Sequence, residues 1–486
     1  MPASTLHDYL GPGGRPVSLE EMLDARDKRA AIKEDLLREY RCPVLSMTLN
    51  MPGRVKRTAL SSFFFDREKA RLLTSLKALG VRLAADKSGR ADTGDESILA
   101  VEGLAASALK SLTLDLEEGS GPGRLLDLDV LDTDGCPLGR AWAGLEPRKC
   151  LICGQPAQLC AASRAHPPEL LQKKVEDLLL GYACQALTDL AAGLALEASS
   201  FELMVAPKPG LVTPCSAGSH TDMDRFTFIR SQAVLAPYYR RAFQAGWEYS
   251  SAARLRMSGI WAEAAMEAET AGVNTHRGWI YLSGILLFAA GRYSRAIFLS
   301  AGQGGGRGRD QAARDLMELS AETARDLEES LEEISYFGQL SKNLGRQGRD
   351  RGIRGEAIRG FPSIFHAGLP VLAGAPGSGA DENTAGLRAL LAILAVADDS
   401  TLIRRGGPRK AELIKAALGK GLGYKGAGDG WPGLSEAALA LSEDQLDLLV
   451  KRTVKQFADE DLSCGGAADL LAGSRLADRF LRACTG

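Results

Sequence analysis

The chain has 486 residues, 45% hydrophobic and 25% charged, enough apolar material for about two or three domains with full cores, which excludes wholesale disorder. Lysine and arginine (59) nearly balance aspartate and glutamate (61), which argues against a nucleic-acid partner. Nine cysteines form an odd, scattered set, and the N-terminus has neither a basic region nor an apolar core, so reduced thiols and a cytoplasmic location are expected.

In chain order, Leu19 to Arg41 has a helical pattern, and Pro43 to Leu49 and Gly123 to Leu131 read as strands, with Asp134-Gly135 as a tight turn. This mixture predicts an α/β or α+β domain over residues 1–175, with Pro167-Pro168 as a hinge. Beyond it Val175, Leu178, Leu179, Tyr182, Leu187 and Leu190 recur at helical spacing. Helical segments such as Leu387 to Ala397 and Leu439 to Thr453 continue to the end, so residues 176–486 are expected to be all-α. The longest strongly apolar run, Trp279 to Ala290, is about a dozen residues against about 20 for a membrane span, so no membrane partner is expected. Gly302 to Arg309 and Gly374 to Gly379 read as flexible surface loops, since neither ends in the Lys-Ser/Thr of a phosphate-binding loop.

Four groups of residues carry chemistry. Along a strand, Asp127 and Asp129 share one face about 7 Å apart and could hold a divalent ion, with Arg124 a planar donor for phosphate oxygens. The alternative is an edge strand with a solvated acidic face. Cys150, Cys153, Cys160 and His166 supply four ligands that could close a zinc site, although free thiols packed in a turn are the favoured reading.

In residues 207–224 prolines and glycines forbid a regular helix and concentrate Lys208, His220, Asp222 and Asp224. Lys208 suits phosphate, the two carboxylates suit magnesium, and His220 could donate to a leaving base. Equally, this is a proline-rich connection leading to a helix N-terminus. Finally, Arg256, Glu263 and Thr270 fall on one helix face, Ala271-Gly272 ends that helix, and Thr275 is a natural N-cap for the next, beside His276 and Arg277. The alternative is a pair of helices whose polar groups only cap and solvate.

The segment from Leu45 to Gly53 with Lys56, the run Gly123 to Asp132, and Arg148 to Gly154 together resemble the citrate lyase holo-acyl-carrier-protein synthase family over roughly residues 18–175. That resemblance implies a nucleotidyltransferase-like domain. Its activity would be transfer of a phosphoribosyl-dephospho-CoA group to a serine of the apo acyl carrier subunit, releasing diphosphate, with Asp127 and Asp129 as the magnesium pair by analogy.

The second half resembles the triphosphoribosyl-dephospho-CoA synthase family. The matching pieces are Glu202 with Pro207 to Val212, Gly218 to Asp224, Ala262-Glu263, Gly272 to Gly278, Arg354 to Ala357, Arg405 to Gly407, and Gly465-Gly466 with Ala468 to Ala472. That family implies an all-α fold in which ATP and 3′-dephospho-CoA are the substrates and adenine leaves with the triphosphate retained. The resemblance makes Lys208, Asn274, Thr275, His276, Arg277, Arg354 and Arg405 candidates for binding, and Asp222 and Asp224 for magnesium. Glu263 or Glu356 would be the base, and His220 and His276 further catalytic candidates. Together the halves imply an enzyme that builds and installs the prosthetic group of citrate lyase. The alternatives are one active half, or a non-catalytic assembly module.

Overall fold

A computed structural model describes residues 5–9, 13–119, 121–299, 308–332, 352–424 and 431–485. The chain forms two compact units, Met1–Ala186 with Ile297–Gly306, and Leu187–Ala296 with Arg307–Gly486. Residues 302–307 of the first glycine-rich stretch lie outside the described residues.

In the first unit α1 (Leu19–Tyr40) starts at Ser18, which exchanges hydrogen bonds with Glu21 in a capping box, and stops at Arg41 in the left-handed region (φ 49°). After it come β1 (Val44–Leu49), α2 (Ala59–Ala78), β2 (Arg82–Ala91), β3 (Gly94–Glu102), α3 (Ala106–Gly119), β4 (Leu126–Leu131) and β5 (Pro137–Leu138). The sheet order is β2-β3-β1-β4-β5 with every pairing antiparallel, so the mixed unit is α+β. The strand expected from Gly123 begins instead at Leu126, because Gly123–Leu125 closes a 3₁₀ turn in which Leu125 N donates to Pro122 O. Asp134-Gly135 turns β4 into β5, with Gly135 at φ 80°.

One sheet face buries Leu45, Met47, Leu99, Val101, Leu126, Leu128 and Val130. On the other, Leu36 of α1 packs with Cys42, Val44, Ile98 and Ala100, over β1 and β3. Asp129 pairs with Ser46, and Asp127 with Thr48, so both acids share the α1 face but remain exposed on β4.

Pro168 is not a hinge but the first residue of a 37-residue helix; α4 (Ala157–Ser163) precedes this α5 (Pro168–Met204), inside which the division between units falls. A proline suits a first helical turn, where its missing N–H has no partner to lose. The second unit is helical, with no strand among its described residues. It contains α6 (Arg225–Trp247), α7 (Ala252–Glu269), α8 (Arg277–Leu299, which passes into the first unit), α9 (Arg309–Glu332), and shorter helices ending in Gly465–Thr485. Leu439 to Thr453 is two helices, not one: Ser442 forms a capping box with Gln445, ending Leu434–Ala440 and starting Glu443–Asp459. Gly374 to Gly379 is the end of one helix and a 3₁₀ turn, Ala375–Ser378, rather than a loop.

Two helices, Pro168–Met204 and Arg277–Leu299, are long and apolar enough to cross a membrane, which the count of contiguous apolar residues missed. The apolar window of Arg277–Leu299 is 78% buried, as a core helix is. It crosses α6 at two glycines: a Cβ on Gly246 would fall 1.9 Å from Phe288 O, and one on Gly291 2.2 Å from Phe243 O. Gly246→Ala is therefore expected to destabilise the helical unit by about 1–3 kcal/mol through overpacking. Gly181→Ala in α5, whose Cβ meets nothing within 4 Å, should be neutral or stabilising by up to about 1 kcal/mol. Urea unfolding of the full chain followed by circular dichroism compares them.

Candidate functional site

In the first unit the acids of β4 are accessible but set among other charges. Burial first, and Asp129 second, hold the Asp127 carboxyl above its usual range, while Arg148 opposes them. Arg148 is anchored by Glu117 of α3 at 2.7 Å, and Glu117 also holds Arg140 at 3.1 Å. Arg148 continues into a cavity of about 220 Å³ whose wall includes Asn50, Arg124, Lys149, Cys150, Cys160 and His166. The acid pair, Arg124 and Arg148 thus belong to one region with the donors an anion and its counter-ion need. A larger cavity of about 340 Å³ in the same unit is lined by Arg57, Thr58, Gln172 and Glu176 among apolar groups. Pro52 borders both cavities.

Cys150, Cys153, Cys160 and His166 come together. Their donor atoms all lie within 4.8 Å of one another, Cys153 Sγ being 3.4 Å from Cys160 Sγ and 3.1 Å from His166 Nε2. Burial opposes thiolate formation at Cys150, but N–H groups of Ile152 and Cys153 and the neighbouring thiols outweigh it and lower its pKa.

In the helical unit three distant segments meet. Ser219 Oγ donates to Leu462 O at 2.7 Å, His220 Nε2 is 3.1 Å from Ser463 Oγ, and Cys464 Sγ donates to Pro209 O at 3.2 Å. Arg405 donates to Ser219 O, Asp461 O and Asp461 Oδ1, each at 3.1 Å. Gly210 takes φ 65° against this contact, where a Cβ would lie 2.1 Å from Leu462 O. Behind them Asp399 accepts from Thr401 N (2.8 Å), Leu402 N (2.9 Å) and Ala467 N (2.7 Å).

Several expected roles change here. Lys208 is buried and paired with Glu202, both its carbonyl and its carboxylate, so its charge is spent inside the protein. Asp224 is the N-cap of α6, its Oδ1 accepting from Thr227 N at 2.9 Å and Thr227 Oγ1 at 2.8 Å; this leaves Asp222, exposed and 4.0 Å from His220. Glu356 is buried with both oxygens taken by Ser363, N–H at 3.0 Å and hydroxyl at 2.8 Å. It is a structural acceptor rather than a free base. Burial and then Arg405 depress the His220 pKa.

The other half of the site surrounds the start of α8. Asn274, not Thr275, accepts the N–H of Arg277 (3.1 Å), and the Thr275 hydroxyl instead donates to Ser231 Oγ at 2.8 Å. Arg277 binds Glu263 at 3.1 Å and Glu267 at 2.7 Å. Burial raises the Glu263 pKa, and Arg277 and the exposed Arg354 counter it. Arg354 also lies in the field of Arg256, Tyr281 and Glu328. Next to Arg277, Gly278 leaves room for Asp469, whose Oδ2 would be 1.9 Å from a Cβ there. Burial, then Glu202 and Asp399, hold the Asp469 carboxyl well above its usual range.

Arg148 and Asp469 stand within the quoted motifs and Asp399 outside them, and local sequence gives none of the three a role. The signals are a basic pair before Cys150, an Asp-Ser-Thr helix start at Asp399 and an acid just after Gly465-Gly466, but only the fold shows what they face.

His276 is buried, 2.6 Å from Ser231 Oγ through Nδ1, and burial lowers its pKa to about 3. It is a neutral donor or acceptor, not a cation for phosphate. Folding therefore keeps it uncharged while the unfolded chain takes a proton below about pH 6.5, so this stabilisation is full above that pH and lost as pH falls toward 3. Its imidazole carbon resonances should stay constant from pH 8 to pH 5; a midpoint near 6.5 would contradict the burial.

Comparison with known proteins follows the same division. Residues 188–484 match the family model of ATP:dephospho-CoA triphosphoribosyl transferase, and residues 17–182 that of apo-citrate lyase phosphoribosyl-dephospho-CoA transferase. "Protein CitXG" of Haemophilus influenzae is 29% identical over 94% of this chain and 95% of its own length. A probable 2-(5''-triphosphoribosyl)-3'-dephosphocoenzyme-A synthase of Pectobacterium carotovorum is 33% identical over 60% of this chain and 88% of its own. A probable apo-citrate lyase phosphoribosyl-dephospho-CoA transferase of Vibrio cholerae is 35% identical over 35% of this chain and 96% of its own. The chain thus belongs to both families, as a fusion whose first part is of the apo-citrate lyase phosphoribosyl-dephospho-CoA transferase family and whose helical part is of the ATP:dephospho-CoA triphosphoribosyl transferase family.

Proposed function

We propose that this chain makes the citrate lyase prosthetic group and attaches it, with one reaction in each unit. The observation that carries this is the pairing of both family matches with two separate charged sites, one in each unit. In the helical unit a hydroxyl of 3′-dephospho-CoA attacks C1 of the ATP ribose and the bond to adenine breaks, giving 2′-(5″-triphosphoribosyl)-3′-dephospho-CoA. In the first unit a serine hydroxyl of the apo acyl carrier subunit attacks the innermost phosphorus of that product and diphosphate leaves. A cytoplasmic setting for both steps is part of this reading, supported by ATP and dephospho-CoA as substrates and by cysteines that form no disulfide among the described residues.

For the first reaction, Arg277, Arg354 and the N–H groups opening α8 are the donors we assign to the triphosphate. Glu263 takes the proton of the attacking hydroxyl, being accessible where Glu356 is not. Asp469, whose burial and neighbouring acids favour the protonated form, gives a proton to the leaving adenine. Arg277 beside Glu263 favours its carboxylate, whereas Asp469 has only burial and other acids around it, and that difference separates a base from an acid made of the same chemical group.

For the second, the nucleotidyltransferase-like reading is supported by two accessible acids on one strand face of an antiparallel sheet. Asp127 and Asp129 would hold magnesium, which would neutralise charge on the departing diphosphate. In the helical unit Asp222 fits that role better than Asp224, which is already capping. Arg124, Arg148 and Lys149 orient the phosphates against the cavity wall.

Half-reactions separate the two sites. Glu263→Gln should slow adenine release about a hundredfold or more, yet still load the carrier when given ready-made precursor. Asp129→Asn should release adenine normally and leave the carrier's mass unchanged. Loss of both half-reactions in either variant, with its circular dichroism intact, would contradict a two-site enzyme.

A further inference from the structure

Between Arg140 and Pro167 the chain has almost no core. Cys150 is the one buried residue in that stretch, the helix α4 buries none, and Trp142, Leu145 and Leu159 are exposed. Burial of apolar surface therefore cannot be what orders it. What it has instead is a hairpin closed by Ala157 N to Arg148 O (2.8 Å) and Cys150 N to Gln155 O (2.6 Å), in which Ile152 N points at Cys150 Sγ (3.4 Å). Cys160 rises from α4, and Arg164 at φ 49° ends that helix so that His166 returns beside Cys153.

We propose that Cys150, Cys153, Cys160 and His166 bind one zinc ion that staples this segment and fixes the basic wall of the transferase cavity. The geometry is that of a closed tetrahedral site. Zinc with sulfur ligands at about 2.3 Å and nitrogen at about 2.0 Å needs S···S separations of roughly 3.8 Å and S···N of roughly 3.5 Å. The observed 3.4 and 3.1 Å, with all four donors within 4.8 Å, are a small adjustment away. Three thiols give up their protons to solvent and the imidazole binds neutral, so no oxidant is involved. Four protein ligands leave no open position, which makes the ion structural rather than catalytic.

Its consequence for function rests on the transferase reading. Arg148 and Lys149 immediately precede Cys150, and Cys150, Cys160 and His166 line the same cavity as those two cations and Arg124. Fixing the knuckle fixes where the cations point.

The test uses the full chain without a histidine tag, expressed with added zinc and purified without chelator. Plasma mass spectrometry should find about one zinc per chain, and cobalt exchange should produce visible bands of tetrahedral thiolate ligation. Cys153→Ser should drop zinc to under about a tenth per chain, while Cys136→Ser, an exposed thiol outside the cluster, keeps it. Cys153→Ser should also lose carrier loading and retain adenine release. Wild-type protein that takes up neither metal after reduction, or that holds a Cys153–Cys160 disulfide, would overturn the proposal whether or not the variants fold. Zinc lost from Cys153→Ser with carrier loading unchanged would overturn the positioning role. Zinc bound by a wild type that never loads the carrier would contradict the transferase reading and leave the metal site standing.

Discussion

Asp399 sets where the motifs of the helical unit can stand. Its buried carboxylate takes N–H groups from the start of its own helix, Thr401 and Leu402, and from the start of the last one, Ala467. A carboxylate moved out of water without such donors would cost several kcal/mol, and the N–H groups would in turn be orphaned without it. Two helix starts are thereby held at one point. From the last turn of the first helix Arg405 reaches Ser219, and just before the second Cys464 reaches Pro209. The loop that carries His220 is fixed between them.

The site is built by a division among charged groups. Some are spent on architecture: Lys208 on Glu202, Glu356 on Ser363, Asp224 on the cap of α6. Glu263 next to Arg277 and Asp127 next to Asp129 are left accessible with raised carboxyls, and Asp469 next to Gly278 is raised by burial without a cation to pair with. Both sets stand in recognisable motifs, so a motif alone does not separate a residue that holds the loop from one that faces the substrate. Burial and the count of satisfied lone pairs do.

This is also where the sequence was and was not legible. The two-part organisation, α1, β1, the placing of Asp127 and Asp129 on one strand face, and the stop of α7 at Ala271-Gly272 follow from local patterns: capping, period two, and left-handed positions. The misreadings came from long-range or competing local terms. Ser442 broke an apparently continuous apolar helix because its cap outweighs the pattern, and Pro168 began a helix because the first turn tolerates proline. That Thr275 feeds Ser231 rather than capping α8, and that His276 is neutral, depend on residues more than forty positions away. No local spacing contains that information. The grouping of Cys150, Cys153, Cys160 and His166 was readable as a donor set, but the absence of any other core around it was not.

In the proposed function each unit has its own site, cations and raised carboxyls for breaking a bond to a base in one, and an acid pair with an arginine-lined cavity for releasing diphosphate in the other. On that reading the helical unit uses ATP as a ribosyl donor rather than as a source of phosphoryl groups. The most direct measurement is chromatography of the nucleotides after mixing the wild-type chain with ATP, magnesium and 3′-dephospho-CoA. Free adenine should form in equal amount to dephospho-CoA consumed, with none formed when dephospho-CoA is left out. Folded protein that yields ADP or AMP, or no adenine at all, would contradict the proposed function.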